Sequence, residues 1–390
     1  MSDRVRVLCV IGSMGAGGSE RQMIGLLSHL DRTRLEPLLY TIYAEGPLLA
    51  EVPDDVPVFS FGKQYEPPRL NWPGRLHGMQ VRHLANTIRQ QQIDLIYDRT
   101  YHAALVAGPA AQRTRVPQVS VVVNSPESDL QTAGRFVGVK RRMLRKIYAR
   151  AARVLTVSTD LQQEVVDYYG LPTQQVTAMP NGLDLARIDR LAAEACEPLE
   201  PQRFHVVCIG RLQPQKGYPV LIDAVDDLVH HRGQNSLCVH LIGDGPDGDA
   251  LRSLVAERRL TDHVRFVGRL SNPYPMLRQA QLFCLPSLFE GMPNVVLEAM
   301  ACRTPVLSTD CPTGPREVLD EGRLGCLIPP GDAAALADGI ESALCDDGPW
   351  ADRVDPARQH IEHHYDHAVR IKSVESLLLD VVGRCEAPGR

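Results

Sequence analysis

The strongest constraint on the fold is an alternation of short apolar runs with amphipathic stretches, which occurs in both halves of the 390-residue chain. Apolar runs of about four to eight residues are typical of buried strands, and the stretches between them have helical periodicity. This alternation predicts parallel βα units. In the first half, strands are predicted at 5–12, 36–43, 94–99, 117–124 and 153–158, with helices at 19–30, 76–91 and 140–152.

The alternation breaks at residues 179–203, where Pro, Asn-Gly and several charges indicate a domain boundary. It then resumes, which predicts a second set of βα units. We therefore predict an α/β protein of two Rossmann-like domains facing across a cleft, where the carboxyl ends of two parallel sheets meet and ligands bind. The strands of the second half are predicted at 204–211, 237–244, 263–269, 282–287 and 304–310.

Composition excludes several classes of protein. The net charge is −5, so the surface as a whole does not suit a polyanion such as nucleic acid, and any basic surface must be local. Ten cysteines occur without a CxxC pair, and several stand in apolar runs, which favours a reducing compartment over a disulfide framework. The amino terminus lacks a signal-peptide pattern, and no window approaches the roughly 18 apolar residues that span a bilayer. We expect a cytoplasmic protein.

The segment FEGMPNVVLEAMA places Glu290 and Glu298 on either side of a turn. Pro293 suits the first turn of a helix, predicted over about 293–301, and Gly291 allows a ligand to approach the backbone. The start of such a helix attracts anions. The order of carboxylate, anion site and carboxylate matches the sugar hydroxyls, diphosphate and ribose of a nucleotide sugar. The alternative is that Glu298 simply faces solvent.

The segment IGRLQPQKGYPV places Arg211 directly after a predicted strand and Lys216 beside a glycine that precedes a helix. Two cations at this position suit a diphosphate leaving group, because they neutralise charge that grows as the glycosidic bond breaks. The alternative is a solvated basic loop.

A glycine-rich loop, GSMGAGGSER, joins the first strand to the first helix. It departs from the dinucleotide fingerprint because Glu20 stands at the third glycine position, and it lacks the Lys-Ser/Thr of a P-loop. Its N–H groups could contact a phosphate or a sugar. The alternative is a tight strand–helix turn.

Taken together, these motifs resemble family 4 of the retaining, nucleotide-sugar-dependent glycosyltransferases, which have the GT-B fold. The nearest likeness is to bacterial transferases of polysaccharides or lipid-linked oligosaccharides. The matching segments occur in the family's order and cover nearly the whole chain. They are GAGGSER, PNGLD, GRLQPQKG, LIGDGPDGDALRSL, VRFVGRL, SLFEGMPNVVLEAMACRTPVLSTD and GPREVL…GCLIPPGD.

The resemblance implies a role for each matching residue. Glu290 would contact hydroxyls of the donor sugar, Arg211 and Lys216 would bind the diphosphate, and these three form the expected catalytic set. His102, in YDRTYHAAL, would lie near the donor sugar, unless it is a surface or packing histidine. The other donor-binding residues are Gly17 and Gly18 over the diphosphate, Gly291, Met292, Pro293 and Asn294 through backbone groups, and Glu298 at the ribose.

The resemblance also implies retention of configuration without a metal or an enzyme nucleophile. The acceptor hydroxyl would attack from the side on which the diphosphate leaves, and a diphosphate oxygen would take the proton. Residues 247–249 read DGD, superficially like a metal-binding motif, but acids at a helix N-terminus explain them better. We expect no cofactor and no metal.

One basic segment stands out in this acidic chain, because no acidic residue occurs between Asp129 and Asp160. The basic residues on one face of the predicted helix suggest a surface for anionic lipid or for a polyprenyl diphosphate acceptor, and hence peripheral attachment to the inner face of the membrane. The alternative is an ordinary amphipathic helix with its bases in water. The eight bases are Arg135, Lys140, Arg141, Arg142, Arg145, Lys146, Arg150 and Arg153. On a helix, Arg142, Lys146, Arg150 and Arg153 fall on one face, and the apolar residues roughly opposite are Phe136, Met143, Leu144, Ile147 and Ala151.

The domains are predicted as 1–183 for the acceptor, 184–365 for the nucleotide sugar and 366–390 as a terminal helix crossing back to the first domain. The expected function is transfer of a hexose or N-acetylhexosamine from a nucleotide diphosphate sugar, with UDP favoured, in cell-surface polysaccharide biosynthesis. The acceptor is expected to be a glycan or a lipid-linked saccharide. Two alternatives remain at this point, a sugar-nucleotide epimerase of the same fold and a non-catalytic nucleotide-sugar-binding subunit.

Overall fold

A computed structural model describes residues 4–15, 17–63, 74–132, 136–346 and 348–386. They form two compact units. Unit 1 comprises the residues up to Gly182 together with those from His367 onward, and unit 2 is Leu183–Asp366. The chain therefore passes from one unit to the other twice, each time one residue from a boundary that the sequence suggests.

Unit 1 is built on a seven-stranded sheet in the order β3-β2-β1-β4-β5-β6-β7, and every strand pair is parallel. Its strands are β1 (Val5–Ile11), β2 (Leu35–Thr41), β3 (Val58–Ser60), β4 (Leu95–Arg99), β5 (Gln118–Val122), β6 (Arg153–Thr156) and β7 (Val176–Ala178). Its helices before the first crossing are α1 (Gly18–His29), α2 (Arg75–Gln90), α3 (Tyr101–Thr114), α4 (Pro126–Thr132), α5 (Val137–Tyr148) and α6 (Thr159–Tyr169).

Unit 2 repeats this plan with a six-stranded parallel sheet in the order β10-β9-β8-β11-β12-β13. Its strands are β8 (Phe204–Ile209), β9 (Leu237–Ile242), β10 (Val264–Gly268), β11 (Leu282–Leu285), β12 (Val306–Thr309) and β13 (Cys326–Ile328). Its helices are α7 (Leu185–Ala192), α8 (Tyr218–Asp226), α9 (Gly248–Glu257), α10 (Tyr274–Gln279), α11 (Asn294–Ala301), α12 (Pro315–Val318), α13 (Ala333–Leu344) and α14 (Val354–His364). After the second crossing, α15 (His367–Glu386) belongs to unit 1.

Continuous apolar runs produce the central strands, because strands covered by helices on both faces need apolar side chains on both sides. Strand β1 has five buried residues in a row, and all six residues of β9 are buried. Each unit has its own hydrophobic core, which includes Leu8, Val10 and Leu38 in unit 1 and Val206, Leu221 and Leu241 in unit 2. The prediction of two Rossmann-like parallel-sheet domains is confirmed.

Several predicted elements need correction. Strands β3, β7 and β13 were not predicted, because they have three residues each and are too short for a periodic pattern. Near the end of the chain a separate helix, α14, precedes the terminal helix α15, because helical structure stops at Tyr365 and resumes at His367. Among the described residues, none of the helices combines the length and apolar character needed to cross a membrane.

The strand orders locate the place where each unit can bind a ligand. In both sheets the order reverses direction between two neighbouring central strands, β1 and β4 in unit 1 and β8 and β11 in unit 2. Ligands of doubly wound sheets bind outside the carboxyl ends of the strands at such a switch point. The residues that directly follow these four strands are therefore the natural site residues.

Candidate active site

The expected catalytic residues follow the two strands at the switch point of unit 2. Arg211 and Lys216 come after β8, and Glu290 comes after β11. Strands β8 and β11 pair directly and run parallel, so their carboxyl ends lie at the same edge of the sheet. Three charged residues that are up to 79 positions apart in the sequence thus converge on one edge.

Glu290 is a buried carboxylate with two defined partners. Its Oε1 accepts hydrogen bonds from Lys216 Nζ at 2.5 Å and from Ser287 Oγ at 2.6 Å. The side chains of Lys216 and Glu290 are only 14% and 7% exposed. Charge-assisted bonds of this kind fix orientation strongly. Oε2 has no hydrogen-bond partner among the described residues, so one carboxylate oxygen remains available for a ligand.

The turn before α11 is held in place by the segment that follows β12. Thr313 Oγ1 donates to the backbone carbonyl of Glu290, whose own N–H donates to Pro312 O at 3.3 Å. Gly314 has φ +93°, and a Cβ there would stand 2.7 Å from Gly291 O. Only glycine can bring this backbone so close to the turn. The CPTGP segment is therefore part of the scaffold that shapes the turn around Glu290.

A second glycine turn positions Lys216. Gly217 has φ +64°, and a Cβ there would lie 2.0 Å from Pro286 O, so a side chain does not fit. In the same turn Leu288 N donates to Gln215 O at 2.8 Å, and Gln215 Nε2 donates to Phe289 O at 2.9 Å. These bonds join the loop after β8 to the loop after β11, and so bring Lys216 to Glu290.

Helix α11 begins at Asn294, and its N-cap residue, Pro293, makes no side-chain capping hydrogen bond. The positive end of the helix dipole therefore adjoins the turn that carries Glu290 and Gly291. Glu298 lies one turn into the helix and is partly buried.

Arg211 differs from its two companions. Its side chain is exposed, and it has neither a hydrogen bond nor an ion pair within the described part of the chain. An exposed cation at the same edge of the sheet as a buried ion pair is suited to neutralise charge that develops on a leaving group.

Burial also controls the protonation of a neighbouring thiol. Desolvation, and then the negative charge of Glu290, raises the pKa of Cys311 to about 12. The thiol is therefore neutral at physiological pH, and it adds no negative charge where a diphosphate would bind.

In unit 1, the glycine loop follows β1 at the switch point. Gly17 is the N-cap of α1 and Gly18 its first residue, and both are exposed. The loop is anchored from the side by Met14, whose N–H donates to Glu45 O at 2.9 Å and whose carbonyl accepts from Leu48 N at 3.1 Å. The two glycines thus offer exposed backbone at the start of a helix, where anions bind favourably.

His102 follows β4, the other strand at the switch point of unit 1, and is the second residue of α3. Its ring is stacked on Tyr101, with 4.6 Å between ring centroids. Desolvation, and then the positive charge of Lys140, lowers the pKa of His102. The imidazole is therefore neutral at physiological pH.

The basic helix α5 is shorter than expected. Arg142 and Lys146 lie on it and are exposed, but Arg150 lies beyond its end, where it donates to Gln112 Oε1 at 2.7 Å. The prediction of a helix reaching residue 152 was wrong, because the chain turns after Tyr148 to enter β6. Arg135 lies outside the described residues.

The amino-terminal end of α5 carries exposed apolar side chains, of which the sequence analysis named only Phe136, opposite the bases. Phe136 is 65% exposed, Val139 57% and Val137 36%. Only the second half of the helix packs on the core, through Leu144 and Ile147. The start of α5 therefore combines exposed apolar side chains with unburied bases.

Sequence reasoning missed the residues that hold Glu290 in place. Ser287 bonds its carboxylate, and Thr313 and Gln215 bond the backbone on either side of it. The only sequence feature that could have indicated these residues is that they are polar and stand where apolar strands end.

Comparison with known proteins identifies the family. Residues 16–187 match the family profile described as Glycosyltransferase Family 4, and residues 203–346 match the one described as Glycosyl transferases group 1. The chain belongs to glycosyltransferase family 4, and it is a glycosyltransferase.

Two relatives and one solved structure illustrate the likeness. The chain is 25% identical over 342 residues to the N-acetylgalactosamine-N,N'-diacetylbacillosaminyl-diphospho-undecaprenol 4-alpha-N-acetylgalactosaminyltransferase of Campylobacter jejuni, covering 86% of this chain and 89% of that protein. It is 29% identical over 365 residues to the D-inositol 3-phosphate glycosyltransferase of Pseudarthrobacter chlorophenolicus, covering 89% and 86%. The structure of Anabaena Alr3699/HepE in complex with UDP and glucose superposes with a TM-score of 0.77 at 22% identity, covering 96% of this chain and 99% of that one. This last likeness establishes the GT-B fold.

Proposed function

We propose that this chain is a retaining glycosyltransferase that moves a hexose or N-acetylhexosamine from a UDP-sugar to a glycan or a lipid-linked saccharide, in cell-surface polysaccharide biosynthesis. Support for UDP comes from the Anabaena structure, which contains UDP and glucose. Support for a lipid-linked acceptor comes from the Campylobacter relative, whose name specifies a diphospho-undecaprenol substrate.

The observation that carries the proposal is the buried carboxylate of Glu290, oriented by Lys216 and Ser287 at the switch point of unit 2. A carboxylate fixed in this way is suited to accept hydrogen bonds from paired sugar hydroxyls. The adjoining start of α11 favours the diphosphate, and Glu298, one turn further along the helix, would accept the ribose hydroxyls.

Departure of the nucleoside diphosphate is the step that the cations would promote. Arg211 and Lys216 would neutralise the charge that develops on the diphosphate. Backbone groups of residues 291–294 would contact sugar and phosphate, and Gly17 and Gly18 would close over the diphosphate. The acceptor hydroxyl would attack on the face that the diphosphate leaves, and a diphosphate oxygen would take its proton. This route requires no metal ion.

Unit 1 would bind the acceptor. His102 would lie near the transferred sugar, and Arg142 and Lys146 of α5, with Arg150 beyond it, would attract the anionic part of a lipid-linked acceptor or of a membrane surface. This assignment makes the protein a peripheral component of the inner face of the membrane.

A transfer assay with a panel of UDP- and GDP-sugars tests the proposal. The purified chain is incubated with each donor in the presence and absence of polyprenyl-diphosphate-linked and free glycan acceptors. We expect glycosidic product of retained configuration from a UDP-sugar only when an acceptor is present. Conversion of the donor alone into an epimer, or an exclusive use of GDP-sugars, would contradict the proposal.

Variants of the site connect the activity to these residues. Glu290→Gln and Lys216→Ala should each reduce transfer by about 100-fold or more, because each removes a group that acts on the reacting sugar or the leaving group. The matched controls are Glu257→Gln on α9 and Lys372→Ala on α15, both exposed and neither among the proposed site residues. Full turnover in either site variant would refute the assignment.

A further inference from the structure

Three potential metal ligands lie together on one face of the unit 2 sheet. Cys238 and His240 are two residues apart on β9, so their side chains project from the same face. Strand β8 pairs with β9 in parallel register, His205 opposite Cys238, which places His205 on that face as well. All three residues are buried, with exposures of 1% for His205, 0% for Cys238 and 3% for His240.

The ligand atoms of this cluster converge. His205 Nδ1 is 2.9 Å from His240 Nε2, and Cys238 Sγ is 3.5 Å from the same nitrogen. All three atoms lie within 4.8 Å of one another. Nitrogen and sulfur ligands of tetrahedral zinc stand about 3.3–3.8 Å apart, so the pair of Cys238 and His240 already has a suitable separation, and the two imidazoles would have to separate by about half an ångström.

The orientation of His205 matches that of a metal-bound histidine. Its Nε2 lies 2.9 Å from the backbone carbonyl of Glu200. Because a carbonyl oxygen only accepts, Nε2 carries the hydrogen and Nδ1 presents its lone pair to His240 and Cys238. Metal-binding histidines generally donate their second N–H to a carbonyl or carboxylate in this way.

The cluster lies away from the residues proposed for sugar transfer. His205 is the second residue of β8, whereas Arg211 and Lys216 follow the carboxyl end of that strand. Five residues of extended chain separate His205 from Gly210, or about 16 Å. An ion here would join β8 to β9 without touching the donor.

We propose that His205, Cys238 and His240 bind a Zn²⁺ ion that stabilises the sheet of unit 2. Two imidazoles and one thiolate are a ligand set that zinc prefers, and they leave one coordination position for a further ligand. Binding replaces water ligands of the aqueous ion with one Zn–S and two Zn–N bonds, releases the thiol proton of Cys238 to solvent, and requires the hydrogen on His240 Nε2 to move to His240 Nδ1.

The test uses the full-length chain, stripped of metal with a chelator and then titrated with Zn²⁺ against a chromophoric competitor. We expect one tightly bound ion per chain and a higher midpoint of thermal unfolding. In Cys238→Ala the affinity should fall by about 100-fold or more, because one of three ligands is lost. Cys284→Ala is the matched control, since Cys284 is also fully buried on a strand of the same sheet but lies outside the cluster.

A spectroscopic measurement keeps the test decisive if a variant folds poorly. Co²⁺ added to the metal-free wild-type chain should produce a thiolate-to-cobalt charge-transfer band, which Zn²⁺ then abolishes. Absence of that band, no stoichiometric zinc, or equal affinity in Cys238→Ala and the wild type would each overturn the proposal. Sugar transfer is measured separately, and its presence or absence does not bear on this result.

Discussion

At the scale of single residues, the pair formed by Lys216 and Glu290 joins function to stability. Both side chains are largely withdrawn from solvent, so removing either leaves an unpaired charge in the interior. Breaking a buried pair in this way costs about 3–5 kcal/mol of folding free energy. A loss of transfer in either single variant therefore has to be read beside its unfolding curve, measured at the assay temperature.

Asp98 on β4 is a residue at which burial controls stability. Its side chain is fully buried, and Oδ2 accepts hydrogen bonds from Gln118 Nε2 at 2.7 Å and Ser120 Oγ at 2.8 Å. Oδ1 has no hydrogen-bond partner among the described residues. Desolvation outweighs the two hydrogen bonds and raises the pKa of Asp98 to about 7 from its ordinary value of 3.8.

The folded state therefore keeps this proton to a higher pH than the unfolded state. Stability should fall as pH rises from about 4 to about 7, where the folded chain binds more protons than the unfolded chain. Asp98→Asn should flatten this slope, because an amide keeps an acceptor oxygen but does not titrate. The measurement is the urea midpoint as a function of pH.

The Asp98→Asn variant should keep part of the pH dependence of stability, because burial also raises the pKa of Asp129 to about 6. The control is Asp160→Asn, an exposed aspartate in the first turn of α6. Identical profiles of urea midpoint against pH for Asp98→Asn and the wild type would show that Asp98 does not hold a proton in the folded state.

At the scale of elements, the shape of the turn before α11 depends on its packing against the CPTGP segment. Gly314→Ala should raise the KM for the donor about tenfold or more, because the new Cβ would collide with Gly291 O and displace the turn. Gly233→Ala is the matched control. Gly233 also has positive φ, at +72°, but a Cβ there meets nothing within 4 Å.

Both substitutions strain the backbone, by about 1–2 kcal/mol each. Only Gly314→Ala should also affect donor binding, and steady-state kinetics of the two variants separate these effects. Equal KM values in the two variants would show that the turn does not depend on this contact.

Helix α5 is the element on which the proposed membrane attachment would depend. Arg142→Glu combined with Lys146→Glu should weaken binding to vesicles containing anionic lipid by about tenfold or more, because each base near such a surface contributes about 1 kcal/mol. Wild-type binding should also fall steeply with added salt. Vesicle sedimentation at several salt concentrations measures both effects.

The control has the same change in charge elsewhere in unit 1. Arg34→Glu combined with Arg82→Glu alters two exposed arginines that lie outside α5. Equal vesicle binding by the two double variants, or wild-type binding that does not respond to salt, would exclude α5 as the attachment surface.

At the scale of the whole molecule, the sequence predicts the architecture better than the details of the site. Long apolar runs such as β1 and β9 can be recognised as strands in the sequence, and the strand order then brings Lys216 and Glu290 to one edge of the sheet. Contacts such as Thr313 to Glu290 join residues 23 positions apart in sequence through a side chain and a carbonyl. The cluster of His205, Cys238 and His240 depends on the register of two parallel strands. Hydrophobic periodicity predicts neither such side-chain contacts nor the register of two strands.

The two chain crossings make unit 2 a continuous segment between the parts of unit 1. Leu183–Asp366 contains a complete six-stranded sheet and its own hydrophobic core. Segments with a core of their own can fold independently. All the donor-binding residues proposed here, apart from Gly17 and Gly18, belong to this segment.

We therefore expect a fragment of residues 183–366 to fold and bind UDP but to transfer no sugar. UDP at 100 times its dissociation constant should stabilise the fragment by about 2.7 kcal/mol, which raises the Tm of a unit this size by about 5–10 °C. The same fragment with Lys216→Ala should show little shift, since the diphosphate loses a cation. If the fragment folds but UDP does not raise its Tm, while UDP does raise the Tm of the full chain, then unit 1 supplies essential donor contacts.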